Sequence, residues 1–74
     1  MAFDYRKLRG RIVEIYGTQA EFAKAIGISN RTVSLKMNNK VRISQDEVVN
    51  WSKKLNIDSK EITDYFFTQK VSKT

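Results

Sequence analysis

Five polar residues, Asp4, Thr18, Ser29, Ser44 and Asp58, recur along the chain, each just before a run with helical apolar spacing. A side chain of this kind at an N-cap accepts a backbone N–H that the first helical turn leaves without a partner. Thr18, Ser44 and Asp58 are followed three residues later by Glu21, Glu47 and Glu61, the arrangement of a capping box. Four of the five also stand between apolar residues placed to staple the entering chain: Phe3 with Leu8, Ile28 with Val33, Ile43 with Val48, and Ile57 with Ile62. Repeated along 74 residues, the coincidence predicts five helix starts.

The apolar spacing agrees. Tyr5, Leu8, Ile12 and Ile15 form one stripe, stopped near Gly17. Phe22, Ala23 and Ile26 form a second, stopped by Gly27. Val33 and Met37 make the third, ended by Asn38-Asn39; Val48, Trp51 and Leu55 make the fourth; Ile62, Tyr65 and Phe66 make the fifth. Val41-Arg42-Ile43 is too short for a useful strand, and proline is absent. The expectation is a single all-α domain over 1–74, with helices at about 4–16, 18–26, 29–38, 45–55 and 59–67 and a short flexible tail at 68–74.

Composition removes several kinds of chemistry. With no Cys there is neither disulfide nor thiol, and with no His the usual zinc ligand and neutral-pH base are missing. Glu21, Glu47 and Glu61 have capping work, so no nucleophile and base converge, and neither an enzyme nor a cofactor or metal site is expected. The first fifteen residues hold no uninterrupted apolar core, so neither signal peptide nor membrane span is expected, which suggests the cytoplasm. The net charge of +6 lies wholly in residues 1–43, where nine Lys/Arg face three acids, while residues 44–74 balance five against five. A basic half beside a neutral half suits a polyanion, with plain solubility as the competing explanation.

Between the second and third predicted helices lies one tight corner, Gly27-Ile28-Ser29. Glycine suits a chain leaving a helix with φ > 0. Ala23 permits a close helix crossing, and Ile28 and Val33 plug the corner. Small residue, glycine and apolar plug is the sequence form of a helix-turn-helix, here over 18–38. The stretch T-Q-A-E-F-A-K-A-I-G-I-S-N-R-T-V-S resembles the motif of the Cro/C1-type, phage lambda repressor-like family of helix-turn-helix regulators. The five-helix layout extends the resemblance over about 3–67.

That resemblance implies a small phage-encoded transcriptional regulator, part of a lysis–lysogeny switch in a bacterial host cell, binding double-stranded operator DNA. Its third helix would enter the major groove with Asn30, Arg31, Ser34 and Leu35 at the base-reading positions. Arg31 could fork onto guanine and Asn30 onto adenine, a good pair discriminating by ~1–3 kcal/mol. Gln19, Ser29, Lys36, Asn38, Asn39, Lys40 and Arg42 would contact the DNA backbone, adding affinity and salt dependence. Lys36 stands where the family usually has an apolar residue, so Met37 is expected to take the core role, and Leu35 to face either core or groove. Arg6, Lys7, Arg9 and Arg11 read as a solvated face. A homodimer would prefer inverted half-sites roughly 34 Å apart.

A second reading stays open. Tyr65, Phe66 and Phe67 crowd one turn, and one helix face cannot bury all three, which marks either a protein interface or a fold-back. With Leu35 also apolar, the chain would then be a phage modulator or antirepressor that grips another repressor protein and binds DNA only weakly.

Overall fold

A computed structural model describes residues 2–69 of the chain. Among these the path runs through α1 (Arg6–Tyr16), α2 (Gln19–Ile26), α3 (Asn30–Met37), α4 (Gln45–Lys54), a 3₁₀ turn (Ser59–Glu61) and α5 (Ile62–Phe66). The fold is all-α, with five α-helices and one isolated antiparallel bridge between Phe3 and Gln69 among the described residues.

The caps form as their chemistry requires, with two shifts. Thr18, Ser29 and Ser44 accept the backbone N–H groups of Glu21, Thr32 and Glu47 at 3.2, 3.1 and 3.2 Å. Of the three predicted boxes, the one at Ser44 closes reciprocally, its N–H reaching Glu47 Oε1 at 2.9 Å. Glu21 lies instead 3.8 Å from Lys24. The first helix begins at Arg6, two residues later than expected, with Tyr5 in the cap position. Asp4 still accepts the Arg6 N–H at 3.0 Å and also grips the Arg6 guanidinium at 2.8 Å. Asp58 caps the 3₁₀ turn, so α5 starts at Ile62 rather than at 59.

Three helices end alike. After α2 the Gly27 N–H reaches Lys24 O and the Ile28 N–H reaches Ala23 O, with Gly27 at φ 78°. This is the paired closure in which a left-handed residue satisfies the last carbonyls. Asn39 (φ 61°) and Asn56 (φ 52°) make the same closure after α3 and α4. Asparagine tolerates the left-handed region because its short amide bonds locally.

Trp51 of α4 is the hub of the interior, 1% exposed, with the Phe22 ring edge-on at 5.2 Å and the Phe66 ring at 6.4 Å. Leu8, Ile12, Ala23, Val33, Met37, Val48, Leu55, Ile57 and Tyr65 complete the buried cluster with Tyr5. Ile15, expected in the first stripe, is 38% exposed. Tyr16 packs on the core in its place and donates its hydroxyl hydrogen to Lys54 O at 3.1 Å. Thr68 and Gln69, assigned from sequence to a flexible tail, are held: Asp4 N–H reaches Thr68 O at 2.7 Å, and Gln69 bridges Phe3. The rest of that predicted tail, 70–74, lies outside the described residues.

Candidate functional site

The corner between α2 and α3 places Gln19, the first residue of α2, beside the outer face of α3. Its side-chain amide has two N–H donors, and both are used: Nε2 donates to Asn30 Oδ1 at 2.9 Å and to Ser34 Oγ at 2.7 Å. Two of the four expected base-reading residues are therefore oriented by a third residue before any target arrives. The bond also changes what Asn30 can offer. One lone pair of its carbonyl is taken by Gln19, so its NH₂ group and one remaining lone pair stay available. Ser34 keeps its own hydroxyl hydrogen to donate.

Arg31 is exposed and makes no ion pair among the described residues. Its guanidinium is thus available to a guanine edge, a phosphate or a carboxylate. Leu35 is half-buried, yet belongs neither to the buried cluster nor to the apolar residues packed on it. It is therefore not a fully buried core residue, in contrast to Val33 and Met37 on the same helix. Ser29 works as a cap, its Oγ accepting the Thr32 N–H and lying 2.8 Å from Thr32 Oγ1.

The residues assigned to DNA backbone separate into two groups. Lys40 and Arg42 are exposed and unpaired among the described residues. Lys36 is a correction: it is 7% exposed, and its ammonium donates to Glu47 Oε1 at 2.9 Å and to Arg42 O at 3.0 Å. The aliphatic stem fills the apolar position, and the charge is met by a carboxylate from α4. Burial pushes the Glu47 carboxyl up, but the Ser44 N–H and the Lys36 ammonium outweigh it and hold its pKa below the ordinary value.

Asn39 is a second correction. Its amide brackets the Phe3 backbone, Oδ1 accepting the Phe3 N–H and Nδ2 donating to Phe3 O, both at 2.9 Å. Asn38 is exposed, and its Nδ2 donates to Ser34 O at 2.9 Å, closing the last turn of α3. Sequence reasoning missed the Asn39 bracket, because nothing local signals a partner 36 residues away.

The basic face expected around α1 is partly engaged. Arg11 donates to the carbonyls of Leu55 and Asn56 at 2.8 and 3.1 Å, tying α1 to the end of α4, and pairs with Glu14 at 2.9 Å. Lys7 lies 3.9 Å from Asp64 and 4.8 Å over the Tyr65 ring. Arg9 remains exposed.

Of the aromatic turn, Tyr65 and Phe66 are core residues at 9% and 1% exposure, which corrects their assignment to an interface. Phe67 is 45% exposed and meets Phe3 edge-on at 5.8 Å. Among the described residues no helix is long and apolar enough to cross a membrane.

Residues 1–69 match a family model described as "Protein of unknown function (DUF739)". Among curated proteins none matches the chain. Among solved structures the chain is similar to the modulator of repression (MOR) of the temperate bacteriophage TP901-1 from Lactococcus lactis, determined in solution. The two share 46% identity over 97% of each chain, with a TM-score of 0.81.

Proposed function

The chain belongs to the DUF739 family, and from that premise we propose that it is a phage-type modulator of repression, acting mainly by binding a repressor protein. The observation that carries this reading is the 46% identity to a phage modulator of repression over nearly the whole of both chains. Leu35 supports it independently. A half-buried leucine outside the buried cluster offers a protein partner apolar surface and offers a base edge no hydrogen bond. Arg31 on the same short helix supplies a charge that can orient such a partner. The reading places the protein with its repressor in the bacterial cytoplasm and gives it no enzymatic role.

Direct operator binding of the Cro/C1-type is the second reading. It is favoured by the Gln19–Asn30–Ser34 network, which orients polar side chains as a groove reader requires, and by the unpaired Arg31, Lys40 and Arg42. In the modulator reading those features give weak, salt-sensitive DNA affinity, and a homodimer on DNA is not needed.

The experiment that separates them mixes the purified chain with the repressor of the phage or prophage that encodes it, and in parallel with random duplex DNA. A stoichiometric complex with the repressor, weakened about tenfold or more by Leu35→Ser or Arg31→Ala, is the expected result. An inverted repeat enriched by the chain alone would establish the operator-binding reading instead.

A further inference from the structure

A groove of about 470 Å³ opens on the part of the surface that follows α3, with a lining that includes neither Arg31 nor Leu35. Its apolar lining comes from Phe3, Val41, Ile43, Val48, Phe66 and Phe67. Phe67 and Val41 are 45% and 43% exposed, so the groove presents apolar surface that the described residues leave open. The opening is held by polar bonds rather than by packing alone. Asn39 brackets the Phe3 backbone, the Phe3–Gln69 bridge fixes the same segment from the other side, and Phe67 stands edge-on against Phe3. A volume of this size lies in the ordinary range of built binding clefts, roughly 300–1,000 Å³.

The electrostatics select the occupant. Among the described residues lining the groove, Arg42 alone is charged. Lys40, two residues before it, is also exposed, and neither forms an ion pair among the described residues. Asp46 and Glu47, which follow the lining residue Gln45 in sequence, do not line the groove, and Glu47 is engaged by Lys36 and Ser44. A second copy of this chain is a poor occupant. Each copy carries +6, and a two-fold contact would bring the Arg42 of one protomer toward that of the other with no lining carboxylate to offset them. The chain's own residues 70–74 bring Lys70 and Lys73, again the wrong sign.

We propose that this groove receives a short amphipathic segment of a partner protein, apolar along one face and carrying carboxylates where it meets Arg42 and Lys40. The apolar face covers Phe67, Val41 and Val48, and the carboxylates fork onto the Arg42 guanidinium. The proposal rests on the modulator reading only for naming the repressor as the source of the segment; the lining of the groove includes neither Arg31 nor Leu35. It gives the chain two faces, one on α3 and one behind it.

The test is a solution NMR titration of the full chain with three short synthetic helix-forming peptides. The first carries Leu at i, i+4 and i+7 with Glu elsewhere, the second replaces each Glu by Lys, and the third replaces each Leu by Ser. The acidic peptide is expected to shift the Val41, Val48 and Phe67 signals and to bind at least about tenfold more tightly than either counterpart. Phe67→Ser should weaken it, and Arg42→Glu should reverse the preference toward the Lys peptide. Arg42 is exposed and forms no ion pair among the described residues, so Arg42→Glu should keep the thermal unfolding of the parent and carries the test. Phe67→Ser also loses the ring contact with Phe3 and is read beside its own unfolding curve. Equal binding of the acidic and basic peptides, or shifts confined to Arg31 and Leu35, overturns the proposal. So does groove broadening that grows with protein concentration, which assigns the groove to a second copy. A change at Phe67 caused by Val71→Ser in the free chain assigns it to the chain's own C-terminus and overturns it equally. Groove binding without a repressor complex upholds this proposal and removes the modulator reading; a repressor complex with no peptide in the groove does the reverse.

Discussion

Helix α3 is held by two polar networks, one on each side, and they differ in what depends on them. Toward α2, Gln19 bonds Asn30 and Ser34 at the surface, with neutral groups that water could satisfy as well. Toward α4, Lys36 carries a charge into the interior and meets Glu47, which also caps α4 through Ser44. A hydrogen bond at a wet surface replaces one with water and changes stability little. A buried charge has no such substitute, so its partner must stay. The first network therefore shapes a face, and the second holds two helices in register.

The largest expected effect comes from removing Glu47. Glu47→Ala leaves the Lys36 ammonium buried with one carbonyl and opens the α4 capping box at the same stroke. The expected loss is about 3 kcal/mol, seen as a fall in Tm of roughly 10 °C or more in a domain of this size. Lys36→Met should behave quite differently, staying within about 1 kcal/mol of the parent, because an unbranched apolar chain fits the site and Glu47 keeps its capping work. Chemical denaturation of both variants checks this asymmetry. A Glu47→Ala loss below about 1 kcal/mol would mean that water reaches Lys36, and the contrast between the two sides of α3 would dissolve.

The Asn39 bracket gives the next effect. Asn39→Ala removes both bonds to Phe3 and puts a Cβ residue without a local amide at φ 61°, for a cost of about 2 kcal/mol. Asn39→Gly relieves the backbone and loses only the bonds, so it should cost about half as much. Amide exchange at Phe3 and Asp4 should accelerate in both. Exchange unchanged in either variant would show that the Phe3–Gln69 bridge suffices to hold the segment.

The pH dependence sharpens the same comparison. Glu47 has a folded-state pKa below its ordinary 4.5, so folding favours its ionised form. Its contribution is complete above the unfolded value and disappears as pH falls through the folded one. Unfolding midpoints measured from neutral pH downward should therefore fall below about pH 4.5 in the parent, and fall less steeply in Glu47→Gln. Gln19→Ala, on the other side of α3, should follow the parent curve throughout.

The two sides were not equally legible in the sequence. The corner at Gly27, the caps at Thr18, Ser29 and Ser44 and the burial of Trp51 follow from local spacing, because cap, staple and stripe all act within about one or two turns. Lys36 was not legible: an ammonium reads as surface until the fold shows a carboxylate from the next helix beside it. Asn39 failed for a related reason, since its partners at Phe3 are distant in sequence. Asn56 was within reach, an asparagine just past the last apolar position being the usual left-handed terminator. The aromatic turn was half legible. Its crowding showed that one ring must stay outside, and the structure selects Phe67 because Tyr65 and Phe66 point to Trp51 and its neighbours.

Gln19→Ala should have the smallest effect on folding and the most selective effect on function. The side chain bonds only at the surface, so stability should change by less than about 0.5 kcal/mol. Asn30 and Ser34 would lose the amide that orients them and would sample several rotamers before binding. Whatever target α3 meets, repressor or DNA, must then order two side chains that the parent presents ready made. That ordering costs about 0.5–1.5 kcal/mol for each side chain held, the equivalent of a several-fold weaker complex. Because Gln19 does not line the groove behind α3, binding of the acidic peptide there should be unchanged. Measured on one preparation, a weakened α3 complex beside unchanged groove binding and unchanged Tm would separate the face-shaping network from the register-holding one. A loss of Tm comparable to that of Glu47→Ala would show instead that the exposed network also carries the packing of α2 on α3, and that the two sides of the helix are alike.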